Sequence, residues 1–465
     1  MASIMFNQVT KLAGVATISL VMLCRGAYGQ YTFTDLHLFS VPAQPPGCGL
    51  CRFTNYDGLF PGAPVVLTNG TLFGTAEFGG ANGVGTVFRV STNGAAFTTL
   101  HAFIDNGGGY DGDSPAAGLT LYNGLLYGTT SGGNNGVQSG TIFRIAPDGG
   151  GFTNLHYFLS SDSEAPSLGS LTVVGSQLFG GTYRTEGSTT GTIYRINPDG
   201  TDFTVLHEFS GPDGDSPWKL TLSANALYGV TQGGGAFGCG TIFQIGADGT
   251  GFTNIWNFTG NGNGAFPVTD LVVVGDTLYG TTRFVDGYNN GNPPNGYGTI
   301  FKVGTNGGNF TVIHTFSYSD GDQPAMIGGF AVRGKTLYGT TSQGGRFGNG
   351  TIFQINTDGS NFDTLYSFSG AEGYNPDAGL IIAGDTLYGT ASLSNNSEGA
   401  IFAFSIPPRL ELSKTGNGLV ITWSDSTYVL QLATNVVGPW TNVANAASPY
   451  TNGFVFPQEF FRLIR

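Results

Sequence analysis

The chain has 465 residues, and its 30 Asp and Glu against 17 Lys and Arg leave a formal charge of −13 at pH 7. That balance disfavours nucleic acid and anionic membrane surfaces as partners. Gly fills 78 positions, more than twice the average share of about 7%, and it recurs in turns rather than in the triplet of a collagen.

Residues 1–29 read as a secretory signal. Lys11 supplies the positive flank, Leu12–Cys24 is an apolar run short for a bilayer span, and Ala27-Tyr28-Gly29 offers small residues for cleavage before Gln30. The expected mature protein is secreted or held at the cell surface, without a membrane span. An F-T-x-L-H-x-F element follows at Phe33–Phe39, and then a long loop with Cys48 and Cys51. A C-x-x-C can mean redox chemistry, half of a metal site or a small disulfide. No second C-x-x-C and no nearby His follows, and an oxidising compartment makes a local Cys48–Cys51 bridge the expectation. Cys239 is then left as an odd thiol.

Beyond this loop the chain repeats. An L-Y-G or L-F-G element begins at Leu72, Leu126, Leu178, Leu227, Leu278, Leu337 and Leu387. A G-T-I-F-like element follows each one, ending at Phe88, Phe143, Tyr194, Phe243, Phe301, Phe353 and Phe402, and the F-T-x-L-H-x-F element also occurs seven times. A period near fifty residues with short apolar runs between Gly-rich turns points to radial or solenoid repetition. Each unit holds four β-like runs. Pairs such as Gly275-Asp276, Gly384-Asp385 and Asp248-Gly249 suit two-residue hairpin connections, so the strands form an antiparallel meander.

Several runs are apolar on successive residues, which calls for cover on both faces. The first F-T-x-L-H-x-F copy precedes any L-Y-G, and the last unit ends after Phe404 without one. The expected fold is therefore all-β: residues 30–406 form a seven-bladed β-propeller of four-stranded antiparallel blades, with the N-terminal strand sealing blade seven and hiding an open edge.

On the propeller, the connections between second and third strands share a face with those that lead from one blade to the next. The latter carry acidic turns before a proline: Asp111 and Asp113, Asp213 and Asp215, Asp320 and Asp322. Two readings stand side by side: an Asp that caps its own turn, or carboxylates that with loop carbonyls could hold Ca²⁺. No other cofactor is expected. All five histidines, His37, His101, His156, His207 and His314, occupy one position of the repeat, where the remaining copies have Trp256 and Tyr366. Such a position packs an amphipathic ring, and no histidine is left for a unique catalytic site.

The 59-residue spacing before Leu337 comes from a long loop, Arg283 to Tyr297. It brings Arg283, Phe284, Asp286, Tyr288, Asn289 and Tyr297 to the acidic face, a mixture of aromatic surface and a few polar groups that suits a small-ligand site. A tolerated surface insertion is the competing reading. After Pro407-Pro408 the texture changes, and residues 409–465 alternate in the manner of a small β-sandwich-like module.

The units L-Y-G-T-T, G-T-I-F-x-I-x-x-D-G and F-T-x-L-H-x-F resemble the GloVer tandem repeat of choice-of-anchor proteins, a family of exported bacterial proteins. The resemblance covers about residues 31 to 404. It implies export and a repeat scaffold, and brings no catalytic residues with it. The expected function is a monomeric, non-enzymatic scaffold that binds a glycan or a surface protein through one loop-rich face. A structural matrix component and a metal-dependent propeller lactonase or lyase are the alternatives.

Overall fold

The computed structural model describes residues 4–12, 15–23, 31–42, 54–104, 111–132, 138–159, 164–184, 190–287, 295–325, 327–393, 398–408, 411–415, 418–423, 429–434, 438–452 and 458–464. Regular structure among them is strand throughout, and seven antiparallel sheets form a seven-bladed β-propeller.

Blade four shows the unit. Its second strand, Ala226–Gly233, and third strand, Thr241–Gly246, pair in continuous register from Ala226↔Gly246 to Thr231↔Thr241, and the outer strand Thr253–Asn257 completes the meander. Leu227 to Thr231 and Thr241 to Phe243 are all buried, because neighbouring blades cover both faces of the sheet. The Gly of L-Y-G has a packing reason: the Phe243 ring, opposite in the ladder, occupies the space that a side chain on Gly229 would need. In the turns, Gly275, Gly384 and Gly249 have positive φ, as two-residue connections demand.

The inner strand departs from the expected single run. In blades three to six it comes in two pieces, such as Asp215–Pro217 and Thr221–Ser223, both paired to the same second strand. The cause lies at the proline. Pro217 has no N–H for the ladder, and the residues before Pro217, Pro267 and Pro324 take φ of 59°, 56° and 51° at Ser216, Phe266 and Gln323. The chain turns out of register there and pairs again a few residues on.

The same contact joins every blade to the next. Gly240, at φ 93°, backs onto Pro267, while Phe266 N donates to Cys239 O (2.9 Å). Equivalent approaches are Gly85 to Pro115, Gly140 to Pro166, Gly191 to Pro217, Gly298 to Pro324, Gly350 to Pro376 and Gly399 to Pro61. The last of these joins blade seven to blade one. Blade seven has the order Thr32–Leu38, Ala400–Ser405, Thr386–Ala391, Ile381–Ala383, so the N-terminal strand is its outer strand, as expected. Phe39 N donates to Gly399 O (3.0 Å), Glu398 N to Phe39 O (3.1 Å) and Phe60 N to Glu398 O (3.0 Å).

Toward the axis, the loops after the prolines bond to one another. Ile327 N donates to Asp377 O (3.0 Å), Gly379 N to Ile327 O (2.6 Å) and Asp270 N to Gly328 O (3.3 Å). A Cβ on Gly328 of blade six would lie 2.6 Å from Cγ of Pro64 in blade one, although blade seven stands between them. Loops of blades six, seven and one thus meet one another at this level, which forms the floor of the axial region, or cup.

By internal contacts the chain divides into two compact units, Thr34–Ile381 with Tyr388–Ala403, and Met1–Phe33 with Ile382–Leu387 and Phe404–Arg465. In the latter, Ile4–Leu12 and Val15–Leu23 pair antiparallel, and the first of them also pairs with Gln458–Ile464. Ile4–Leu12 and Val15–Leu23 both lie within the segment read as a signal. A second small sheet holds Glu411–Thr415, Gly418–Thr422 and Tyr450–Asn452. Ile421 and Trp423 from this sheet and its end, with Leu430 and Phe461 from the other, form a small apolar core.

Candidate functional site

The two sets of loops do share a face. Gly235 N donates to Gly211 O (2.8 Å) and Gly345 N to Tyr318 O (2.8 Å), each bond tying a loop within a blade to the acidic turn that leads into it.

The first acid of each turn serves the outer strand. Asp213 Oδ1 accepts from Ser210 N (2.7 Å), while its Oδ2 lies 3.0 Å from His207 Nε2. Asp111 does the same with Ile104 N (2.6 Å) and His101 Nε2 (2.8 Å), and Asp320 with Ser317 N (2.8 Å) and, more loosely, His314 Nε2 (3.4 Å). In blade seven, Glu372 accepts from Tyr366 Oη (2.7 Å) and Ser369 N (2.7 Å). The imidazoles also stack on the next blade's outer strand, as in His101 on Phe152 (3.8 Å) and His314 on Phe362 (3.6 Å). Ring packing was legible in the repeat. The acid partner was not read, although a fixed offset of six links His207 to Asp213, His314 to Asp320 and Tyr366 to Glu372.

The second acid begins the inner strand instead. Asp113 bridges to Gly132, Asp215 pairs with Gly233 and Asp322 with Gln343. The two acids of one turn are therefore placed differently: the first caps the outer strand with its carboxylate, and the second enters the backbone ladder of the inner strand. Among the described residues, no group of three or more His, Cys, Asp or Glu gathers as metal donors.

Of the long-loop residues, Arg283 ends the second strand of blade five and donates from Nε and Nη2 to Gln323 Oε1 of blade six (3.2 and 3.0 Å). Phe284 meets Phe266 edge to face (6.1 Å), and Asp286 Oδ1 accepts from Gly262 N (2.8 Å). Tyr297 lies beside Tyr318 with ring centroids 5.8 Å apart, and its carbonyl accepts from Gln323 N (3.2 Å). Gln323 thus links Arg283 to Tyr297. Tyr288, Asn289, Cys48 and Cys51 lie outside the described residues. Cys239 is a buried free thiol, and burial pushes its pKa up.

A further cluster, not anticipated from the sequence, rims the cup. Asp377 is hemmed in by protein yet keeps part of its surface open to solvent. Burial pushes its carboxyl up to about 6, against hydrogen bonds from Ser392 (2.8 Å) and Ser342 and the positive charge of Arg283. Burial, and then the charge of Asp377, raise the pKa of Glu77; burial, and then Glu77, raise that of Tyr183. Asp322 is also raised by burial, with Gln323 N and Arg283 pulling the other way. Blade five reaches blade seven in the first of these couplings, and blade three reaches blade one in the third. Charges on blades that are not neighbours thus act on one another.

The signal for this cluster lay in the columns of the repeat. Five residues after the L of L-Y-G, the seven copies read Glu77, Ser131, Tyr183, Gln232, Arg283, Ser342 and Ser392. Asp377 stands after its proline, where the other copies have Gly62, Ala116, Ser167, Trp218, Val268 and Ala325. On the opposite face, a depression of about 490 Å³ includes Asp276, Tyr279, Lys302 and Asn309. Its principal donors are already engaged, since Tyr279 Oη and Lys302 Nζ both donate to Thr357 O (3.3 and 3.4 Å).

A family model described as Gloeobacter/Verrucomicrobia repeat matches residues 47–190, 137–327 and 287–417. No curated protein sequence matches the chain. Among solved structures, an oligogalacturonate lyase in complex with manganese is similar at 13% identity and a TM-score of 0.47, over 82% of this chain and 99% of that one.

Proposed function

The chain belongs to the Gloeobacter/Verrucomicrobia repeat family, and from that premise we propose that it is an exported, non-enzymatic scaffold that binds a glycan or a surface protein through the loop-rich face. One observation carries the reading. The frame of the ring repeats almost residue for residue, from the Gly-Pro junctions to the stacked outer rings, whereas the position five residues after the L of L-Y-G holds Glu, Tyr, Gln and Arg in four blades and Ser in three. A purely structural ring has no use for such variety at one level only. Ligand sites, by contrast, combine a rigid frame with a few individually placed polar groups.

The histidines stack in the wall, three of them also bonded to acids, His37, His101 and His207, and so serve the frame. The test is binding of the full chain to arrayed glycans and to candidate surface proteins at neutral pH, with Arg283→Ala beside it. Binding that weakens in the variant, with the ligand recovered chemically unchanged, is the expected result. Progressive cleavage of the bound ligand would overturn the non-enzymatic part of the reading.

A further inference from the structure

We propose that the exposed aromatic shelf across blades five and six is the subsite for a neutral polysaccharide, an inference that rests on the glycan form of the reading above. Tyr297, Tyr318 and Phe347 are 41%, 47% and 51% exposed, high values for large aromatic side chains, and two of them, Tyr297 and Tyr318, are exposed side by side. These two rings are in contact, and the third is in the loop next to them. The Tyr297 and Tyr318 rings lie 5.8 Å apart, and Tyr318 Oη reaches to 2.9 Å from where a Cβ on Gly348 would sit, next to Phe347. The Arg346 guanidinium lies over the Phe347 ring, 5.2 Å from its centre, and carries N–H donors. On the axial side, Tyr297 joins Gln323 and through it Arg283.

Rings exposed side by side, with amide and guanidinium donors at their margins, suit the CH face and the hydroxyls of a sugar ring: apolar body and polar edge in one ligand. The charge decides which sugar. A net charge of −13 repels a polyanion. A polycation would need carboxylates beside the rings that are free to pair, yet the nearby Asp320 is engaged by Ser317 and His314. An uncharged hexose polymer meets neither objection.

The experiment is affinity electrophoresis of the full chain in gels containing laminarin, a glucomannan or soluble starch, with polygalacturonate and deacetylated chitosan oligomers as charged counterparts. Tyr318→Ala and Phe347→Ala are tested beside Phe237→Ala, which removes an exposed ring of blade four (60% exposed) outside the shelf. Circular dichroism verifies folding. Retardation by at least one neutral polymer, with affinity falling roughly tenfold in both shelf variants and unchanged in Phe237→Ala, is expected. Equal retardation of wild type and shelf variants, or stronger binding of a charged polymer, would overturn the shelf proposal and leave a glycan-binding scaffold standing. Absence of retardation by every polymer would overturn the shelf proposal and leave the surface-protein form of the scaffold reading to its own binding test.

Discussion

At the scale of the residue, two carboxylates respond to pH in opposite senses. Asp377 has a folded pKa of about 6, raised by burial, so it favours the fold when protonated, and this contribution is lost as pH rises through that value. Asp377→Asn should therefore raise stability by about 2–3 kcal/mol at pH 8 and by almost nothing at pH 3.5, which thermal melts at the two values would read. Asp57 is the reverse case. Burial pushes its pKa up, but hydrogen bonds from His37 (3.0 Å) and from Ser40 N (2.9 Å) and Oγ (2.5 Å) outweigh it and leave the carboxyl below its ordinary value. Its stabilisation is present above the unfolded carboxyl pKa and disappears as pH falls through the folded one. Asp57→Asn should cost about 2 kcal/mol at pH 7 and much less at pH 2. Equal losses at both values would show that the charge is irrelevant to the bond.

At the scale of the element, the junction glycines are the sharpest constraint. At Gly240 an alanine would take φ 93° and press its Cβ on Thr231 O, Gln232 O and Pro267 at once. Gly240→Ala should cost roughly 2–5 kcal/mol, combining the left-handed backbone penalty with overpacking. Gly238→Ala, at φ 72° with open space around it, should cost only about 1 kcal/mol; urea melts of the pair measure the difference. The strands, their order and the sealing of blade seven could be read from the sequence because each is stated seven times, and a pattern repeated so often overrides local ambiguity. The split inner strand could not, since the φ before Pro217 or Pro324 follows from contact with the preceding blade. Nor could the cup: Glu77 and Asp377 stand 300 positions apart, and only ring closure brings blade one beside blade seven. Arg283 was picked out for the loop that it opens, whereas its guanidinium is spent on Gln323 and the axial acids.

For the whole molecule, the closing contact is not special. Gly399 meets Pro61 as Gly240 meets Pro267, and Phe60 N bonds to Glu398 O as Phe266 N bonds to Cys239 O. At the other side of the seam, Tyr31 stacks on Phe404 with centroids 5.4 Å apart, so the two ends of the repeat array lie side by side where every other blade has a short turn, such as Ala247 to Gly251. A ring assembled from equivalent joints has no intrinsic starting point, and the order of the genetic text is one of seven interchangeable cuts. A circular permutant that links Ile406 to Tyr31 through such a turn and opens at Asp199-Gly200 would make Thr204–Glu208 the new sealing strand. It should fold to the same sheet content and melt within a few degrees of a 31–406 parent; failure of the permutant alone would mean that one joint carries more than the other six.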